Sequence, residues 1–199
     1  MTETSATMIT STPTLSSTLW PSASAGWMRN ALIAIAGSLA LWASAKIQVP
    51  FWPVPMTMQT FVVLALAAAL GARLGAATVL LYLAEGALGL PVFAGAPEKG
   101  LGLAYMAGPT GGYLMGFVIA ALVVGHLAER GFDRSIPRML VAAALGHAII
   151  FLCGWSWLAT LIGPEKAWLA GVTPFYAATI AKTLLAAMAL PAAWKLAGR

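Results

Sequence analysis

One cation lies deep in an apolar run. It is Lys182, in Ala177-Ala178-Thr179-Ile180-Ala181-Lys182-Thr183-Leu184-Leu185. An ammonium at mid-bilayer costs roughly 2.5–3.5 kcal/mol on insertion scales. Two readings follow. The side chain can snorkel outward from near a helix end, or it can face the bundle interior and a negative partner. In the second reading it is a counter-charge for an anionic ligand group, such as a carboxylate. Thr179 stands three residues earlier and Phe175 seven earlier, so both lie on or near the Lys182 face of a helix. A hydroxyl, an aromatic ring and a cation on one stripe could line a pocket. The plainer alternative is that Thr179 bonds its own i−4 carbonyl.

Other polar groups are few. Glu85, in Tyr82-Leu83-Ala84-Glu85-Gly86, could pair with Lys182, accept N–H groups from a ligand, or be solvated at a loop end. Gln59 offers an amide for hydrogen bonding, and Thr57 a hydroxyl or an N-cap. His126 and His147 are 21 residues apart and have no metal-ligand spacing with Cys, His or acid, so they read as packing residues. Cys153 is alone in an apolar segment and reads as a small buried hydrophobe. Gly154-Trp155-Ser156 contains a Gly-x-Ser, as in some intramembrane serine hydrolases, but lacks the following Gly and a paired His. There is no Gly-rich phosphate loop of the Walker type.

The elements that must position these groups are membrane elements. Of 199 residues, 60% are hydrophobic and 9% charged, too few polar side chains to cover a water-facing globule. The +5 charge is not a nucleic-acid signature, because the basic residues sit at the edges of apolar runs. Six such runs can be drawn, at about 31–49, 56–70, 74–90, 111–128, 138–162 and 175–196. The second and third are short and are divided by Gly71-Ala72-Arg73-Leu74-Gly75, a plausible tight turn. One long tilted helix there would leave five spans. With six spans and both termini cytoplasmic, Arg29, Arg73, Arg130, Arg134, Arg138, Lys195 and Arg199 lie inside, and Lys46, Lys99 and Lys166 outside. That obeys the positive-inside rule. The expected fold is therefore an all-α integral membrane protein of six transmembrane helices. Residues 1–26, rich in Ser and Thr, read as a disordered tail, and 27–199 as the membrane domain.

Two outer loops are unusual. Gln48-Val49-Pro50-Phe51-Trp52-Pro53-Val54-Pro55 is too proline-rich for a helix. Gly89 to Thr110 is long and glycine-rich. The aromatics Phe51, Trp52, Phe93 and Tyr105 favour a lid over a ligand, with an interfacial belt as the alternative for Trp52 and Tyr105. In the first run Ala36, Ala40 and Ser44 recur every four residues, which lets another helix approach closely, within the fold or from a partner.

These loops carry a resemblance. Val49-Pro50-Phe51-Trp52-Pro53-Val54-Pro55-Met56-Thr57-Met58-Gln59-Thr60-Phe61 resembles the first-loop motif of the BioY family. So do Gly86-Ala87-Leu88-Gly89-Leu90-Pro91-Val92-Phe93-Ala94-Gly95 and Gly108-Pro109-Thr110-Gly111-Gly112-Tyr113-Leu114-Met115-Gly116-Phe117. The likeness runs from about Arg29 to the C-terminus. BioY proteins are the biotin-binding S components of energy-coupling-factor transporters. The resemblance implies a six-helix fold in the cell membrane, with a biotin site near the outer face beneath the first and third loops. Biotin is then the transported ligand and there is no cofactor. The implied partners are a membrane-embedded coupling subunit and ATP-binding cassette ATPases, beside membrane lipid and no nucleic acid. Tyr113, within the third motif, joins Lys182, Thr179, Phe175, Trp52, Gln59, Glu85, Phe93 and Tyr105 as expected ligand-binding residues. The last helix resembles Pro-Phe-x-x-Gly-Asp-x-x-Lys: Pro174, Phe175 and Lys182 match, Ala178 replaces the Gly and Thr179 the Asp. Ala36 and Ala40 resemble the small-residue contact of S components with the coupling subunit.

Overall fold

The computed structural model of the protein describes residues 12–21 and 26–198. Its helices are α1 (Leu15–Leu19), α2 (Gly26–Lys46), α3 (Gln59–Leu70), α4 (Ala72–Ala87), α5 (Gly102–Met106), α6 (Gly111–Ala128), α7 (Ile136–Ile162), α8 (Pro164–Gly171) and α9 (Tyr176–Leu196). Four helical stretches are long and apolar enough to cross a bilayer: Gly26–Lys46, Gly111–Ala128, Ile136–Ile162 and Pro164–Leu196. The chain is thus a multi-pass membrane protein. α3 and α4, with 12 and 16 residues, reach only about 18 and 24 Å at 1.5 Å per residue.

Two of the sequence expectations shift. The first run ends as a helix at Lys46, and the next residues form a strand pair, β1 (Gln48–Val49) with β2 (Met56–Thr57), in register Gln48 with Thr57. The fold is therefore not purely helical. The strand pair closes the proline-rich loop at its base, where Pro50, Pro53 and Pro55 exclude a helix. Between the second and third runs the chain breaks at Gly71 alone, with φ of 83°, and α4 starts at once. A left-handed residue there ends α3, so one continuous helix is excluded. Glu129 Oε1 accepts the Ala72 N–H at 2.9 Å, which satisfies one of the orphan donors of α4.

α6 is the centre of the bundle, packed on α7 and also on α3 and α4. Glycines allow that approach. A Cβ on Gly116 would lie 2.9 Å from the Ile150 Cα. Gly112 and Gly116 are one turn apart, a small-residue seam of the kind that brings membrane helices together. The core contains Leu64, Tyr82, Val124, Met139, Ile150 and Leu158. Large apolar side chains such as Leu32, Ile35, Leu39, Ile180 and Met188 are exposed on α2 and α9. That outer surface suits hydrocarbon.

Within the stretch expected to be a tail, residues 12–21 carry α1, started by the Thr14 hydroxyl, which accepts the Ser17 N–H. Leu15 is buried, and Thr12 donates from its N–H and hydroxyl to the Glu129 carbonyl at 2.9 and 2.7 Å. Arg134 reaches the Pro13 carbonyl at 3.3 Å and lies 4.5 Å over the Trp194 ring. Trp194 Nε1 donates to Asp133 at 2.5 Å. The rest of the expected tail lies outside the described residues.

Candidate functional site

At the end of the bundle where the β1–β2 loop and the 88–110 segment meet lies a cavity of about 50 Å³. Lys182, Thr179, Phe175, Gln59, Tyr105 and Tyr113 line it. Residues from five separate parts of the chain converge there. Lys182 is 8% exposed, inside the bundle. Its Nζ donates to the Thr57 carbonyl at 2.5 Å. The expected negative partner is thus a neutral carbonyl on β2. Among the described residues the one contact within 4 Å between a basic and an acidic side chain is His126 with Glu129, at 3.8 Å. Lys182 keeps further N–H capacity. Thr179 does not bond back along its helix. Instead Thr183 donates to the Thr179 carbonyl at 2.7 Å. Thr179 itself lines the cavity.

The apolar wall is aromatic. The Phe175 ring lies 6.2 Å from Phe51 of the first loop and 5.9 Å from Phe151 of α7, and Phe151 lies 6.1 Å from Tyr113. The Tyr113 hydroxyl donates to the Gly171 carbonyl at 2.7 Å, which ties α6 to the end of α8. Gln59 donates to the Tyr82 hydroxyl at 2.7 Å and more weakly to the Leu41 carbonyl at 3.5 Å. Both amide N–H groups are then used, and the amide oxygen is left as an acceptor. Thr57 accepts the Gln59 N–H at 3.2 Å and so helps to start α3.

Three expected residues stand elsewhere. Glu85 accepts a short hydrogen bond from Ser38 on α2, not from Lys182 or the cavity. The α2–α4 packing decides that. Trp52 is 84% exposed and lies in a shallow groove with Leu161, Lys166 and Leu169. Its neighbour Phe51 turns toward Phe175, while Trp52 sits in a bend and points outward. Phe93 is buried beneath the cavity wall. It stacks on Tyr105 at 4.7 Å and meets Tyr82 edge-on at 5.6 Å. It supports the loop and does not line the cavity. Tyr105 donates to the Ala94 carbonyl at 2.8 Å, and burial raises its phenol above the ordinary range, which keeps it a donor.

Several lining residues escaped the sequence reading: Val54, Thr60, Ala94, Thr110, Phe117 and Phe151. Phe117 was reachable, being one turn from Tyr113. Phe151 sits in an unbroken apolar helix that gives no signal. The small-residue stripe divides: Ala36 and Ala40 are exposed, while Ser44 is buried and bonds the Leu41 carbonyl. Steps of four residues drift around a helix of 3.6 residues per turn. Ser156 is exposed on α7, and neither His126 nor His147 bonds it, so the hydrolase arrangement is absent among the described residues. His147 instead sits 2.9 Å from the Thr183 hydroxyl between α7 and α9.

The comparison with known families decides the matter. The BioY family model matches residues 13–199. The chain belongs to the BioY family. A probable biotin transporter BioY of Pyrococcus horikoshii is 41% identical over 142 residues, 71% of this chain and 82% of that one. A biotin transporter BioY of Thermotoga maritima is 39% identical, over 72% of this chain and 83% of its own. The crystal structure at 2.1 Å of the S-component for biotin from an ECF-type ABC transporter superposes with a TM-score of 0.74 and 20% identity, covering 87% of this chain and 95% of that one. This chain therefore has the fold of that S-component.

Proposed function

We propose that the protein takes up biotin, as the membrane-embedded substrate-binding subunit of an ECF-type transporter and not as an enzyme. The observation that carries this is the cavity: a buried ammonium, several hydroxyl and amide groups and an aromatic wall under two ordered loops. Biotin has one carboxylate, an apolar bicycle and chain, and a polar ureido group. Lys182 neutralises the carboxylate or faces the ureido oxygen. Phe117, Phe151 and Phe175 cover the apolar parts, and Thr179, Gln59, Tyr105 and Tyr113 satisfy the rest. α2, α3, α4, α6, α7 and α9 form a six-span bundle in the cell membrane, with termini inside and the cavity facing outside. The distribution of Lys and Arg supports that orientation.

The chain captures biotin outside and relies on separate ATPase and coupling subunits for release inward. Ala36 and Ala40, exposed on α2, are small enough for a coupling helix to approach. The deciding experiment is equilibrium binding of biotin to the purified, folded chain. One-to-one saturation is expected. No binding would remove biotin as the ligand. A screen of other small vitamins would follow, since Thr179 stands where the family's last-helix motif resembles an Asp.

A further inference from the structure

The loop at residues 91–97 has no helix or strand to hold it, so its carbonyls need other donors. Side chains supply most of them. The Tyr82 hydroxyl donates to the Val92 carbonyl at 3.0 Å, and Tyr105 to that of Ala94. Backbone N–H groups of Lys99 and Gly100 serve Gly95 and Pro97, and three more carbonyls converge on one atom. Lys46 Nζ donates to the carbonyls of Pro91 at 2.9 Å, Phe93 at 3.2 Å and Ala96 at 3.1 Å. An ammonium has three N–H groups, and here each has an acceptor within six residues of chain.

The position of Lys46 gives the contact a consequence. It is the last residue of α2, two before β1, and β1 pairs with the strand whose Thr57 carbonyl holds Lys182. Lys46 therefore joins the two loops that close the cavity, one through its backbone and one through its ammonium. The bonds differ in exposure. Those from Tyr82 and Tyr105 are buried and fix the underside of the loop. Lys46 is exposed, so water competes for its three contacts. It is the fastening that opens first. The loop borders the cavity through Ala94, so freeing it widens the way in.

We propose that Lys46 is a positioning residue that latches the 91–97 loop over the ligand cavity and sets how long the ligand stays. The latch does not touch the ligand, so it acts on release more than on capture. This rests on biotin binding in the cavity. The test measures association and release of biotin on the full chain in lipid nanodiscs, for the wild type, Lys46→Met and Lys46→Arg. Biotin methyl ester, which has no carboxylate charge, is run beside it. Release from Lys46→Met should quicken about tenfold or more while association changes less than about threefold, equally for both ligands. Lys46→Arg should fall between, since a planar guanidinium cannot converge on three carbonyls as an ammonium does.

Unchanged release would overturn the proposal. So would quicker release confined to charged biotin, which would make Lys46 a charge partner of the ligand. Should Lys46→Met fail to fold, Lys46→Arg decides alone: release equal to wild type overturns the latch. A folded wild type that binds neither ligand removes the biotin reading itself, and the latch with it. That result is distinguishable, because it appears before any variant is made.

Discussion

The Lys182 ammonium has three N–H groups and, among the described residues, one protein acceptor, the Thr57 carbonyl. A buried cation with spare donors and no carboxylate beside it is under-compensated in a low-dielectric setting, and a ligand carboxylate supplies what is missing. Lys182→Met should therefore weaken biotin binding by about 2–3 kcal/mol, roughly a hundredfold. Binding of uncharged biotin methyl ester should change far less. Uptake of labelled biotin by cells carrying Lys182→Met reports the same loss, and unchanged uptake would remove Lys182 from the site. This residue and its companions Thr179 and Phe175 were legible in the sequence, because 3.6-residue periodicity puts all three on or near one face. Glu85 was not. Its partner, Ser38, is 47 residues away on a helix whose packing no local pattern encodes.

At the scale of elements, the long loop between α4 and α6 depends on a glycine. A Cβ on Gly86 would fall 2.0 Å from the Phe93 ring, well inside contact distance. Phe93 cannot stay between Tyr82 and Tyr105 if that atom is present. Alanine otherwise favours a helix over glycine by about 1 kcal/mol. Gly86→Ala should thus lose biotin affinity tenfold or more, on the order of 1.4 kcal/mol, with a smaller change in unfolding temperature. Calorimetry and thermal unfolding on the same sample separate the two effects. The sequence marked both outer loops as ordered lids, through their prolines and aromatics. It did not reveal the β1–β2 pair, α5 or α8. Such short elements are held by tertiary hydrogen bonds and leave no periodic pattern.

For the whole molecule, length and composition set the economy of function. The 199 residues contain no Walker-type phosphate loop, and the proposed function assigns the energy source to separate subunits. Under that proposal, net accumulation against a gradient is driven from outside the chain. Vesicles containing the protein alone should at most equalise labelled biotin across the membrane. Vesicles that also contain coupling subunit, ATPases and ATP should accumulate it. Accumulation by the protein alone, with no ion gradient applied, would refute the division of labour. Under the proposed function, the exposed Ala36 and Ala40 would give a coupling subunit a surface on α2, on the same helix that ends in Lys46.

The sequence by itself determined that the chain lives in lipid, where its apolar runs lie, that its two outer loops are special, and that Lys182 needs a reason to be buried. Those facts are carried by composition, periodicity and the cost of a charge in hydrocarbon, all of them local. The motifs in both loops also carried the family. Only the tertiary structure decided which polar groups meet. It placed Lys182 on a backbone carbonyl, sent Trp52 outward and Phe93 beneath the wall, and brought Phe117 and Phe151 to the cavity. It also folded the 91–97 carbonyls onto Lys46. Partners far apart in sequence are chosen by the geometry of helix packing, and side-chain type alone does not encode which helix will stand opposite.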